Sequence, residues 1–241
     1  AAFMIAKDFI IPKFAKLDDG ADERIARIVV EPFERGYGVT VGNALRRVLL
    51  ASLEGSAVTA IRIENVPHEF AGIPGFSEDV TDVVLNLKRC QLRLNRSEPL
   101  IFSYAYKGEG PVTAADLFKD TEVEVFNPDH VIITGASKAA ELEMEVKVAR
   151  GRGFITADNF ELEHAPLGTI YLDANFSPVS KVNFKVEDAR VGQQTDYDRL
   201  LLDIETNGSL TPEKAPGDAA PLHLETPRTI VRHEQEDKGR D

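Results

Sequence analysis

EPFERGYGVTVGNALRRVLLASL, residues 31–53, reads as a glycine-bearing turn feeding an amphipathic helix over 41–53. Val41, Ala44, Leu45, Val48, Leu49 and Leu53 recur at helical spacing and form one apolar stripe. Asn43, Arg47 and Leu50 fall on a different face, also at helical spacing, with Arg46 beside Arg47. A helix with one apolar stripe packs on its own core. A second side carrying an arginine pair and a leucine implies a second surface to satisfy, set against the plainer reading of solvated arginines.

The surrounding elements follow from alternation. Arg27 to Glu31 reads as a short strand before the helix, and Gly55 stands where a helix C-terminal glycine would. Residues 56–179 are strand-rich. Ile61 and Ile63 alternate with Arg62 and Glu64, and Val123 and Val125 with Glu122 and Glu124. In ELEMEVKV (141–148), Leu142, Met144, Val146 and Val148 share one face, and Glu141, Glu143, Glu145 and Lys147 the other. One helix interrupts these strands, with Ser77 as its cap, Glu78 and Asp79 at its positive end, and Val80, Val83, Val84 and Leu87 as its buried stripe.

Residues 180–206 read as two long antiparallel strands joined by a polar connection, Gln193 to Asp198. Asn207-Gly208 signals a tight turn, and Thr211-Pro212 a helix start. Strands follow strands rather than alternating with helices, so the fold class is α+β.

Composition narrows the function classes. The 241 residues are 43% hydrophobic, enough for a sizeable core, and hold no run of eighteen apolar residues. The first residues carry no secretory pattern, and the single cysteine, Cys90, excludes an internal disulfide. A cytoplasmic protein is expected. The net charge of −12 opposes direct nucleic-acid contact. The five histidines lie far apart, Cys90 has no CxxC partner, and GxSxG and GxxxxGK[ST] are absent. No catalytic residue, metal or cofactor is expected.

One enzymatic alternative has content. Gly36, Gly38 and Gly42 lie between a strand and a helix, and Glu64 follows on the next strand, as in a dinucleotide-binding turn. Three features oppose it. Pro32 to Arg35 separate the strand from the first glycine, Val41 stands where the third glycine would fall, and no further βαβ units follow. A glycine pair permitting a positive-φ turn explains Gly36 and Gly38 as well.

The wording of the chain adds a resemblance. ERGYGVTVGNALRRVLLASLEGSAVT (34–59) resembles the start of the N-terminal domain of the bacterial RNA polymerase α subunit. The likeness continues in order through GIPGFSEDVTDVVLNLK (72–88), VFNPDHVI (125–132), ARGRGF (149–154) and most of 166–215. It implies a two-lobed molecule: a discontinuous dimerisation and β-docking domain of antiparallel strands and helices (1–55 and 180–241) and a strand-rich inserted domain (56–179).

The resemblance further implies a homodimer that forms the platform for the polymerase β and β′ subunits, with no membrane partner. It assigns β docking to Asn43, Arg46, Arg47 and Leu50, and more weakly to Arg190, Gln194 and Thr195 in ARVGQQTD (189–196). Asp82 and Lys88 become β′-docking candidates, and Glu161 and Glu163 possible activator contacts. The apolar stripe of Val41, Ala44, Leu45, Val48 and Leu49 is assigned to the dimer interface. After TPEKA the family has a long dimerisation helix. Here Pro216, Pro221 and Pro227 interrupt it, and each interior proline costs a helix about 3 kcal/mol. A broken helix and a weaker dimer are expected. The family's small DNA-binding domain lies beyond the stretch that ends at Asp241, so its contacts are not carried over.

Overall fold

The computed structural model describes residues 13–16, 24–66, 68–119, 121–160, 166–191, 194–211 and 215–216. The elements run β1 (Lys13–Lys16), β2 (Ile25–Glu34), α1 (Tyr37–Ala51), β3 (Glu54–Ile63), α2 (Val80–Lys88), β4 (Leu92–Leu94) and β5 (Leu100–Lys107). They continue with β6 (Gly110–Thr113), α3 (Ala114–Leu117), β7 (Val123–Val125), β8 (Val131–Gly135) and β9 (Glu141–Arg152). The short β10 (Phe154–Ile155), β11 (Ile170–Tyr171) and β12 (Ala174–Asn175) precede the long β13 (Val179–Val191) and β14 (Gln194–Thr206). The fold is α+β and strand-rich, with antiparallel pairing throughout the described ladders.

The chain divides into two compact units. One takes Ala1–Leu53, Val179–Thr206 and Leu210–Asp241; the other takes Glu54–Pro178 and Asn207–Ser209. Among the described residues, the first unit is a four-stranded sheet in the order β1-β2-β14-β13 with α1 packed on one face. Its hairpin sets Val182 opposite Ile204, Phe184 opposite Leu202 and Val186 opposite Leu200. The next ladder sets Leu200, Leu202 and Ile204 opposite Val30, Ile28 and Ala26. Because side chains alternate, this register lines one face with apolar groups, and Leu45, Val48, Leu49 and Leu53 close over it.

Helix α1 begins at Tyr37, four residues earlier than the apolar stripe predicts. Gly36 turns the chain into it with a φ of +83°, which a side chain would resist. Gly38 lies inside the helix, not in a positive-φ pair with Gly36. A Cβ at Gly42 would stand 2.6 Å from the Phe184 ring. The missing side chain lets the helix backbone approach the sheet. Gly55 is not a helix cap. It lies in β3, where a Cβ would sit 1.9 Å from the Phe176 carbonyl oxygen, while Ser52 caps α1 through its N–H to Val48 O at 2.9 Å.

The polar connection expected at 193–198 is mostly strand. Ala189 pairs Tyr197 and Asp188 pairs Asp198, since ladder bonds run between backbones and tolerate polar side chains. The Asn207-Gly208 turn forms, with Gly208 at φ +89° and the Asn207 carboxamide oxygen accepting from the Ser209 N–H at 3.0 Å. The broken tail expected after Thr211 falls almost wholly outside the described residues.

The second unit is built on the sheet path β5-β9-β3-β4-β7, with β11 beside β3. The β9 alternation places Leu142, Met144, Val146 and Val148 in its core beside Ile61, Ile63 and the α2 residues Val80, Val83 and Leu87. Asp79, not Ser77, caps α2. Its carboxylate accepts from Asp82 N at 2.8 Å in a capping box, whereas the Ser77 N–H is spent on Thr134 O at 3.0 Å.

The motif VFNPDHVI acquires a structural role here. Asn127 accepts from Gln91 N at 2.8 Å and donates to Arg89 O at 3.0 Å, and His130 Nε2 bonds Asn86 O at 2.9 Å. Together they tie down the C-terminal end of α2. Cys90 lies beside this knot, and burial pushes its thiol up to about 12. It is therefore almost wholly protonated at pH 8. Reaction of the native chain with a thiol-specific disulfide reagent at pH 8 is expected to run at least about a hundredfold slower than that of the urea-unfolded chain. Equal rates would contradict the burial.

Candidate docking site

Helix α1 presents two faces. Inward, Leu45 is 3%, Val48 8% and Leu49 0% exposed. Outward, Val39, Asn43, Arg46 and Arg47 are exposed, and Leu50 is half-buried at the margin of the core. Positions 39, 43, 46, 47 and 50 follow helical spacing, so they form one continuous strip. Asn43 Nδ2 donates to Val39 O at 3.1 Å, along the helix. Among the described residues, neither Arg46 nor Arg47 has an ion-pair partner. Two guanidinium forks between a valine and a leucine suit a protein interface: ten N–H donors with apolar contact on either side.

Leu45, Val48 and Leu49, expected at a dimer interface, pack into the chain's own core. Their stripe is covered by β2, β14 and β13. Val41 and Ala44 keep partial exposure, although Val41 also leans on this core.

Arg190 is exposed near the end of β13, and Gln194 and Thr195 open β14. This hairpin tip lies at the same end of the sheet as the start of α1, because Asp198 of β14 bonds Gly36. On α2, Asp82 and Lys88 are not brought together. Asp82 closes the capping box, and Lys88 Nζ lies 3.1 Å from Asp173 Oδ2. Asp173 also accepts from Ala157 N at 2.9 Å, and that bond, then Lys88, holds its carboxyl below the usual range. Both α2 residues thus have local structural work. Glu161 and Glu163 lie outside the described residues.

The dinucleotide alternative fails on the same geometry. In such a turn the helix N-terminal amides face a pyrophosphate. Here the N–H groups of Gly36 and Gly38 both donate to Asp198 Oδ2, at 2.8 and 3.1 Å. A carboxylate of the protein fills the place, and the flanking sheet is antiparallel. Asp198 itself was legible only indirectly, as a charged residue at the next inward position of the Leu200, Leu202, Ile204 alternation. Among the described residues, no three His, Cys, Asp or Glu side chains are grouped to hold a metal, and no helix is long and apolar enough to cross a membrane.

Comparison with known proteins decides the family. The model described as "RNA polymerase Rpb3/RpoA insert domain" matches residues 61–177, within the second unit. The DNA-directed RNA polymerase subunit alpha of Geobacter metallireducens is 46% identical over 231 residues, 95% of this chain and 68% of that protein. The chain belongs to the bacterial RNA polymerase α-subunit family. The α subunit of Heliobacterium modesticaldum is 52% identical over 204 residues, 85% of this chain and 64% of the relative. That of Moorella thermoacetica is 48% identical over 210 residues, 87% and 67%. The chain therefore spans about two thirds of the length of these α subunits.

Proposed function

We propose that this chain is a non-catalytic assembly subunit of a cytoplasmic, DNA-directed RNA polymerase. It homodimerises and supplies the platform on which β and then β′ assemble. The observation that carries this reading is the division of α1 into an inner face packed on its own sheet and an outer strip with exposed arginines, within a chain of the α-subunit family. Asn43, Arg46, Arg47 and Leu50 dock β, with the Arg190, Gln194, Thr195 hairpin end beside them. The α2 region, with Asp82 and Lys88, faces β′, and Glu161 and Glu163 are carried as an activator contact. The chain contributes no catalytic group and binds no cofactor; the nucleotidyl transfer belongs to its partners. The two units are the family's dimerisation and β-docking domain and its inserted domain.

The test is reconstitution with the β subunit of the same bacterium. Light scattering behind size exclusion is expected to report two chains for the protein alone and two chains plus one β for the mixture. A monomer at high micromolar concentration, or no complex with β, would refute the platform.

A further inference from the structure

We propose that Asp198 is a positioning residue for the docking helix: its carboxylate holds the first turn of α1 in place, so that the outer strip is presented complete. The inference rests on the docking reading above. The first amides of a helix have no partner within it. Helix α1 supplies none locally, since its N-cap is Gly36, without a side-chain bond, and its first turn holds no acidic residue. The partner comes instead from a residue 160 positions away in the sequence, Asp198, only 6% exposed. Its Oδ2 accepts from both Gly36 and Gly38. Its charge sits at the positive end of the helix. The seat exists because residue 38 is glycine: a Cβ there would lie 3.0 Å from Asp198 Cβ and 3.1 Å from its Oδ2.

The first turn matters to docking because it begins the outer strip. Val39, 48% exposed, is in line with Asn43 and Arg47, and its carbonyl accepts the Asn43 carboxamide. Without Asp198 the first turn frays, and Val39 and Asn43 lose their fixed places. Arg46 and Arg47 stay, because Leu45, Val48 and Leu49 anchor the rest of the helix. Docking then requires re-ordering one turn, and the apparent affinity falls by the fraction of chains in which that turn is formed.

The experiment uses the 241-residue chain and purified β, with Asp198→Ala, Asp198→Asn, Arg47→Ala and the Asp198→Ala/Arg47→Ala pair. Amide exchange by NMR and binding to β are read together. Asp198→Ala is expected to lose protection at the Gly36 and Gly38 amides but not at Leu49, and to bind β about tenfold more weakly. Asp198→Asn keeps an acceptor oxygen and should recover most of the affinity. Because Arg47 keeps its place without Asp198, the two losses should add in the double variant. Wild-type affinity in Asp198→Ala, with Arg47→Ala defective, overturns the positioning role and spares the docking reading. Wild-type affinity in Arg47→Ala overturns the docking reading, and this inference with it. If Asp198→Ala does not fold, Asp198→Asn decides: lost protection at Gly36 and Gly38 without any loss of β affinity overturns the proposal.

Discussion

Arg47→Ala is expected to leave the chain folded and to abolish its capture of β. Arg47 is exposed on α1, away from the stripe that meets the sheet, so its truncation opens no cavity. Substitutions at such positions change stability by less than about 0.5 kcal/mol. At an interface the same side chain behaves differently. A desolvated arginine is a frequent hot spot, and its removal costs about 2 kcal/mol or more. That corresponds to at least roughly a 30-fold loss of affinity. Since β′ joins after β in the proposed assembly, the whole enzyme then fails to form although no chemistry has been touched. A pull-down of β, with circular dichroism on both proteins, measures it. Equal recovery of β would make Arg47 an ordinary solvated residue.

The opposite face of the same helix should answer in the opposite way. Leu49 is 0% exposed and packs among the apolar residues of β2, β13 and β14. Leu49→Ala is expected to destabilise the first unit by about 3 kcal/mol, within the 2–5 kcal/mol usual for a buried leucine, through lost transfer energy and the cavity left behind. Urea unfolding followed by circular dichroism should show an earlier midpoint at every protein concentration. If Leu49 were instead a dimer contact, the loss would depend on concentration and vanish in dilute solution. The pair of variants therefore separates folding from docking on a single helix, where positions 47 and 49 are two residues apart.

Much of the fold was legible because most of its elements obey one-dimensional rules. ELEMEVKV announces a half-buried strand by strict alternation, and the structure buries Leu142, Met144, Val146 and Val148. The two runs of 180–206 announce a hairpin, and the register of Val182 with Ile204 follows. The outer strip of α1 was legible too, since Asn43, Arg47 and Leu50 depart from the apolar spacing. What misled was capping and termination. Ser77 and Gly55 have the residue types of helix ends, but Asp79 stands one turn ahead of Asp82 and takes the cap, and Gly55 serves a strand that passes close to the Phe176 backbone.

The sequence by itself determined which stretches are strands and helices, which side of each is apolar, and which family the wording resembles. The first two depend on local periodicity and composition, and the resemblance on the wording of whole stretches, all of which the linear chain carries. Only the tertiary structure decided what covers each apolar side. The stripe of α1 reads the same whether its own sheet or a second copy lies against it, and the sheet took Leu45, Val48 and Leu49. Only the tertiary structure, likewise, gave Gly38, Gly42 and Asp198 their meaning. A missing Cβ or a buried carboxylate is defined by what stands about 3 Å away, and those neighbours come from residues about 140 to 160 positions distant.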